Sequence, residues 1–249
     1  MSMFLSIIVP TLNEEKYLPT LLYSLASQTD KNFEVIISDG KSEDKTIEKT
    51  LEFKKSLDIK TYSSSKRNVR YQRNFGVKKA RGNYLIFIDA DHWVDNNFIE
   101  LIFKEIAETN ADVIIPVAIF ATKKMFWKIY SLFSDIFVRV AYSVFKIPLG
   151  SGPAVIIKRS IFEKIGGYDE SIFYLEEPYL LQLAGKCGAK IYHSKDIKLY
   201  SSTRRMDKIG ILKFCYMHMV ASFYFVFRGP IRERIFEYEM GGQEHEITS

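Results

Sequence analysis

The stretch LIFIDADHWVD, residues 85–95, runs four apolar residues, Leu85 to Ile88, straight into two aspartates, Asp89 and Asp91, separated only by Ala90. An apolar run of this length behind Gly82 reads as a buried strand. Buried strands of parallel sheets are nearly continuous in hydrophobicity, so carboxylates arriving abruptly mark the strand's end. Two carboxylates that close repel each other unless a cation or hydrogen-bond donors lie between them. The pair suggests a divalent metal, although the three-residue pattern alone arises about once by chance in a chain of this length. Its neighbours decide.

Upstream, short apolar runs alternate with helical patterns. FLSIIVP (4–10) reads as a strand, Glu15 to Ser27 as a helix, FEVIISD (33–39) as a strand, Lys45 to Leu57 as a helix and IKTYSS (59–64) as a short strand. VRYQRNFGVKKA (69–80) is helical and leads into the quoted strand, and NNFIELIFKEIAE (96–108) leads to DVIIPVAIF (112–120). This alternation predicts an α/β fold with a mixed, mostly parallel central sheet flanked by helices. Ligands of such sheets bind outside the carboxyl ends of the strands, where this chain carries PTLNEE, SDG and DAD in turn. Asn13, Glu14, Asp39, Asp89 and Asp91 are therefore expected around one acidic crevice, although each alone is also a common cap or turn residue. No GxGxxG opens the first helix and no GxxxxGK[ST] is present, which excludes the usual dinucleotide and P-loop sites.

Composition bounds the remaining classes. The 249 residues are 47% hydrophobic and 26% charged, an ordinary globular balance, and a formal net charge of +5 does not demand a nucleic-acid partner. Cys187 and Cys215 are the only cysteines, which excludes a disulfide framework and fits a reducing cytosol. The first residues, MSMFLSIIVPTLNEE, lack the basic and apolar regions of a signal peptide, so a cytoplasmic protein is expected.

After about residue 120 aromatics concentrate. MFWKIYSLFSDIFVRVAYSVFKI (125–147) spaces Phe126, Tyr130, Phe133, Phe137 and Val140 by fours and threes, an amphipathic helix with an aromatic face. GSGPAVIIKRSIFEKIGGYDES gives a glycine-marked turn, a strand and a short helix. YLEEPYLLQLAGKCG holds a helix with Pro178 near its first turn and Glu177 at or beside the N-cap, and AKIYHSKDIKLYSSTRR reads as one or two strands.

SIIVPTLNEEKYLPTLLYSL, EVIISDGKSEDKT, RNFGVKKARGNYLIFIDADHWVD, GGYDES and LEEPYLLQLAGKCGAKI occur in the order typical of the family 2 inverting glycosyltransferases, which the chain resembles over roughly residues 4 to 205. The resemblance implies a Rossmann-like GT-A catalytic domain over 1–205 and a nucleotide-diphospho-sugar donor. Pro10, Thr11, Asn13, Glu14 and Asp39 would line the base and ribose pocket, and Arg73 would approach the nucleotide and its phosphates. Asp89 and Ala90 would border the ribose, Asp91 would ligate Mg²⁺ or Mn²⁺, and His193 matches a metal-binding position, although a lone histidine after a strand is as often structural. The family's base is the second acid of a Glu-Asp pair; this chain has Glu176–Glu177, which favours Glu177 over Glu176. Ser201, Ser202, Thr203, Arg204 and Arg205 would form a mobile phosphate or acceptor loop, or else a solvated basic turn.

Residues 206–249 fall outside that domain. IGILKFCYMHMVASFYFVF (209–227) is a long apolar run interrupted by Lys213 and His218 and flanked by Arg204, Arg205, Lys208, Arg228, Arg232 and Arg234. Its length is at the threshold for spanning a bilayer. A central ammonium costs roughly 2.5–3.5 kcal/mol on insertion, so an interfacial helix is favoured over one buried in the fold or in a homodimer, and over a spanning one. An interfacial position would put the protein on the cytosolic membrane face, with a glycan or lipid-linked acceptor and no nucleic acid. The polar tail EYEMGGQEHEITS is expected to be loose. Two competing readings remain: a phosphohydrolase with an aspartate nucleophile, which Trp93 in the Thr/Val position disfavours, and a nucleotide-sugar-binding membrane protein without catalysis.

Overall fold

The computed structural model describes residues 3–145 and 154–233. The GSG turn at 150–152, the end of the predicted 125–147 helix and the polar tail lie outside those residues.

Eight strands form one sheet in the order β3-β2-β1-β4-β7-β6-β8-β5. β1 (Leu5–Thr11) lies between β2 (Phe33–Asp39) and β4 (Tyr84–Phe87), and β3 (Ile59–Ser63) flanks β2, all parallel. β7 (Val155–Lys158) then pairs antiparallel with both β4 and β6 (Val113–Phe120). Two antiparallel steps restore the original direction, so β6 and the parallel β8 (Ile191–Ser201) end at the same edge of the sheet as β1 and β4. β5 (His92–Val94) closes the far side antiparallel to β8. Its three residues are too few for a pattern, and the sequence alone did not mark them as a strand.

Alternate residues of the central strands feed two cores. Leu5, Ile7 and Val9 of β1, with Ile86 of β4, pack with α1 (Leu18–Ala26) and α4 (Phe98–Thr109). Ile8, Leu85 and Phe87 point the other way, to Val77 of α3 (Val69–Val77), Phe162 of α6 (Arg159–Lys164) and Leu180, Leu181 and Ala184 of α7 (Glu176–Lys186). Burial on both faces is the reason these strands read as continuous apolar runs. The helix expected over 45–57 is shorter, α2 (Thr46–Leu51), and turns follow it.

α5 (Met125–Phe145) lies on β6, the Ser131 hydroxyl donating to the Ala118 carbonyl at 2.7 Å. Beyond β8 come α8 (Arg204–Ile209) and α9 (Ile211–Arg228), so the boundary expected after residue 205 falls inside α8. α9 packs on α5 through Phe214, whose ring meets Trp127 at 5.3 Å and Tyr130 at 5.8 Å. Among the described residues no helix is long and apolar enough to cross a membrane.

Gly82 sets the entry of β4 beside β1. A Cβ there would lie 2.5 Å from the Ser6 nitrogen and 2.7 Å from the Leu5 carbonyl carbon, while its N–H donates to the Ser6 hydroxyl at 2.7 Å. Gly82→Ala should therefore spread the β1–β4 pairing and lower unfolding stability by about 1–3 kcal/mol. Urea denaturation followed by circular dichroism measures this; an unchanged midpoint would show that the two strands part without strain.

Candidate active site

The carboxyl end of β1 runs into a loop that needs a left-handed residue. Asn13 supplies it at φ 54°, a conformation asparagine tolerates better than most side chains. Its side-chain oxygen accepts from the Glu43 N–H at 2.8 Å and its own N–H donates to Ser42 Oγ at 2.9 Å, tying this loop to the one after β2. Asp39, at the end of β2, accepts from the Thr11 hydroxyl and the Ser42 N–H, both at 2.9 Å. Beneath them the buried Gln72 amide of α3 donates to the carbonyls of Thr11 and Ser38 at 2.8 and 2.9 Å. An open groove of about 680 Å³ runs beside Asp39, lined in part by Lys41, Ser42, Tyr62 and Ser63.

At the end of β4, ligand atoms of Asp89, Asp91 and His92 lie within 4.8 Å of one another. The His92 Nδ1 is 3.0 Å from Asp91 Oδ1 and 3.1 Å from the Asp89 carbonyl. Two carboxylates and an imidazole suit Mg²⁺ or Mn²⁺, so the donors present fit a divalent cation. Arg204, the first residue of α8, reaches into the same place. Its Nε donates to Asp91 Oδ2 at 3.1 Å, its Nη2 to both Glu14 oxygens at 2.8 Å, and its guanidinium lies 3.9 Å from the centre of the Tyr17 ring.

Glu176 and Glu177 open α7 directly after Leu175, which is left-handed at φ 61°, an uncommon state for a leucine that turns the chain sharply into the helix. The buried Arg73 guanidinium joins this pair to Asp89. Its Nη1 lies 2.6 Å from Glu177 Oε1 and 3.3 Å from Glu176 Oε1, and its Nη2 lies 2.8 Å from Asp89 Oδ1. The Tyr168 ring of the GGYDES segment sits 5.1 Å away, and Arg70 approaches Glu176 at 4.0 Å. Burial, and then the adjacent Glu176 carboxylate, push Glu177 up to about 7 against the opposing pull of Arg73.

The structure thus gathers Thr11, Asn13, Glu14, Asp39, Asp89, Asp91, Glu176, Glu177 and Arg204 along one edge of the sheet. Pro10 is a β1 residue opposite Ser38, and Ala90 is buried beside the aspartates. Ser201 ends β8 opposite His92, and the Ser202 N–H donates to the Asp91 carbonyl at 3.2 Å. Thr203 precedes α8 and donates to Asp207 at 2.8 Å; Arg205 follows Arg204 in the helix. The expected loop is here the start of a helix.

Arg73 turns its donors inward to three carboxylates, Asp89, Glu176 and Glu177. One expectation needs correction. His193 does not join Asp91. It pairs with Ile115, five β6 residues before the Phe120–Ser201 pair, or about 17 Å along the strand. There its carbonyl accepts from Arg139 at 3.2 Å, and burial followed by the Arg139 cation lowers its pKa to about 4. The histidine beside the aspartates is His92. It follows Asp91 directly in the sequence, and that adjacency was the signal available. Gln72 and Tyr17 gave none, because their roles depend on strand and helix neighbours distant in the chain.

A profile described as glycosyl transferase family 2 matches residues 6–166. A dolichyl N-acetyl-alpha-D-glucosaminyl phosphate 3-beta-D-2,3-diacetamido-2,3-dideoxy-beta-D-glucuronosyltransferase of Methanococcus voltae is 38% identical over 102 residues, 39% of this chain and 32% of that protein. An uncharacterised glycosyltransferase of Haemophilus influenzae is 28% identical over 183 residues, 72% of this chain and 61% of its own length. The chain thus spans less than two thirds of either relative. Among solved structures, residues 1–349 of S. aureus TarS in complex with UDP-GlcNAc align with a TM-score of 0.68 at 22% identity, covering 90% of this chain and 67% of that one. A mannosyltransferase from Pyrobaculum calidifontis in complex with GDP-Man and Mn²⁺ aligns at 0.63 and 17% identity, over 79% and 56%. These structural likenesses establish the GT-A-like fold. With more than half its length matched by the family profile, the chain belongs to glycosyl transferase family 2.

Proposed function

We propose that this glycosyltransferase moves a sugar from a nucleoside-diphospho-sugar to an acceptor hydroxyl with inversion, Glu177 acting as base. The observation that carries the reading is the single guanidinium of Arg73 holding both Glu177 and Asp89, at 2.6 and 2.8 Å. That contact fixes the acid at the head of α7 against the aspartates at the end of β4. Thr11, Asn13 and Asp39, with the groove beside them, would receive the nucleoside. Arg204 would meet the diphosphate once it leaves Glu14 and Asp91. A divalent cation, held by Asp89, Asp91 and His92, would offset the charge of the departing diphosphate. Glu177 would take the proton of the acceptor hydroxyl as its oxygen bonds to the anomeric carbon, and the bond from that carbon to the diphosphate breaks on the opposite face. A base near 7 suits this work, being both deprotonated and still proton-accepting at neutral pH.

The Methanococcus relative, whose name gives it a dolichyl N-acetyl-alpha-D-glucosaminyl phosphate acceptor, favours a lipid-linked acceptor over a soluble glycan. A phosphohydrolase would need a free aspartate nucleophile; Asp89 is instead held by Arg73, and the family match is to glycosyltransferases.

Glu177→Gln keeps the shape of the site but accepts no proton. Transfer should fall about 10²–10⁴-fold with donor affinity retained, while Glu176→Gln loses far less. Single-turnover transfer and calorimetric donor titration separate the two; the opposite ranking would move the base to Glu176.

In the wild type kcat/KM should rise with pH through about 7 as Glu177 loses its proton in the field of Glu176, Arg73 and Asp89. Stability should change in the other direction. A carboxyl whose folded pKa is raised contributes stability fully present below its ordinary range and lost as pH rises through about 7. Opposed pH trends in rate and in unfolding midpoint are the expected signature, and a flat rate profile from pH 6 to 8 would exclude Glu177 as the titrating base.

Asp91→Ala should abolish Mn²⁺-dependent donor binding and leave the fold intact. In the wild type, donor at 100 times Kd with Mn²⁺ should add about 2.7 kcal/mol to unfolding stability. A thermal shift with Mn²⁺ and UDP- or GDP-sugars that survives in the variant would remove Asp91 from the cation site.

A further inference from the structure

Eighteen large apolar side chains are strongly exposed among the described residues, and fifteen of them lie on two adjacent helices, eight on α5 and seven on α9. Each helix divides into an inward and an outward stripe. On α9, Met217, Ala221 and Phe225, four residues apart, are buried, while Leu212, Tyr216, Met219, Phe223 and Phe227 occupy the opposite side, Leu212 at 87% and Phe227 at 76% exposure. On α5, Trp127 and Val138 face the fold, and Met125, Ile129, Leu132 and Ile136 face out. Monomeric proteins rarely leave an apolar area of this extent uncovered.

Charge identifies what covers it. Residues 204–232 carry Arg205, Lys208, Lys213 and Arg228, besides Arg204, held by Glu14 and Asp91, and Arg232, held by Asp169 at 2.7 Å, against one acid, Asp207, which is itself bonded to Lys124 at 2.6 Å. Residues 123–139 add Lys123, Lys128 and Arg139 against Asp135, paired with Arg139 at 2.7 Å. An apolar stripe with basic residues along it and at its ends, on helices whose described residues are not long and apolar enough to cross a membrane, is the pattern of an interfacial helix.

We infer that the outward faces of α5 and α9 dock on an anionic lipid bilayer, with the apolar stripes in the headgroup–acyl boundary and Lys128, Lys213 and Arg228 at the phosphates. The docked helices border the catalytic crevice. Asp207 of α8 accepts from the Trp127 ring N–H at 3.1 Å, while Arg204 of the same helix contacts Asp91. On α9, His218 Nδ1 lies 3.1 Å from the hydroxyl of Tyr174, two residues before Glu176. A bilayer on this face would present a lipid-linked acceptor at the mouth of the site. That consequence rests on the proposed transfer reaction; the docking itself does not.

The test uses the full chain without donor, sedimented with vesicles of phosphatidylcholine alone or mixed with phosphatidylglycerol. The wild type should bind the anionic vesicles at least tenfold more tightly than the neutral ones, and high salt should erase the difference. Lys213→Gln and Arg228→Gln should each weaken binding about fivefold, the equivalent of about 1 kcal/mol per basic residue. The pair Leu212→Glu and Phe223→Glu, both on the outward stripe, should abolish binding with the circular dichroism spectrum unchanged. Tyr23→Glu, equally exposed on α1, should bind as the wild type does. Equal affinity for both vesicle types, or none for either, overturns the proposal. So does a concentration-dependent dimer in sedimentation velocity that Leu212→Glu and Phe223→Glu disperse without affecting vesicle binding, since the face would then belong to a second copy of the chain. Failure of sugar transfer with vesicle binding intact would count against the catalytic reading alone.

Discussion

The guanidinium of Arg73, sealed between three carboxylates, is the contact on which the geometry of the site depends. A buried cation is costly unless its partners are close and well placed, and here Asp89, Glu176 and Glu177 surround it at 2.8, 3.3 and 2.6 Å. Those partners come from two places more than eighty residues apart, the end of β4 and the start of α7. No apolar contact fixes the two segments with comparable directionality, because apolar packing is indifferent to rotation of a carboxylate. Losing any one member would strand the others in a site with little water to solvate them, so the arrangement is held as a unit. The raised pKa of Glu177 follows from the same enclosure. The burial that makes Arg73 an effective clasp also disfavours a second charged carboxylate beside Glu176.

The rest of the crevice is acidic and neutralises itself. Glu14 and Asp91 would repel across the gap between the β1 loop and the end of β4, and Arg204 fills that gap with five donors in a planar fork, seated on the Tyr17 ring. In the proposed reaction Asp91 would hold a divalent cation and Arg204 would turn to the diphosphate, so each charge given up in the resting crevice would be matched by one of like sign from the ligands.

Local pattern carried the sequence reading far. The runs at 4–10, 33–39 and 112–120 are strands because apolar residues buried on both faces leave an unbroken signature, and the rule that ligands sit at carboxyl ends then located Asn13, Glu14, Asp39, Asp89 and Asp91. What the sequence could not show depended on pairing between distant segments. β5 has three residues and exists as a strand only because β8 runs beside it. The contacts of Arg73 could not be read from the sequence because its inward partners lie sixteen and more than a hundred residues away. The family resemblance implied His193 as a metal ligand, but it is the third residue of β8, eight before Ser201, far from the end that meets Asp91. The helix expected over 45–57 stops at Leu51, after which the chain turns through Phe53 and Leu57 into the core.

Topology explains why the apolar helices and the crevice occupy one side of the molecule. β7 reverses the chain direction relative to β4 and β6 reverses it again, so the ends of β6 and β8 open at the edge that carries the aspartates. The chain leaves β6 at Phe120 and enters α5 within five residues; it leaves β8 at Ser201 and enters α8 and α9 within ten. Neither helix could begin at the opposite edge without a connection long enough to cross the sheet, and the intervening segments are too short for that. Asp207 then joins the two exits, accepting from Lys124 and Trp127 before α5 has completed its first turn. The exposed apolar stripes are therefore not an appendage to the catalytic fold. They begin where the sheet's aspartate-bearing edge ends, and the helix that links them to it is the one that places Arg204 between Glu14 and Asp91.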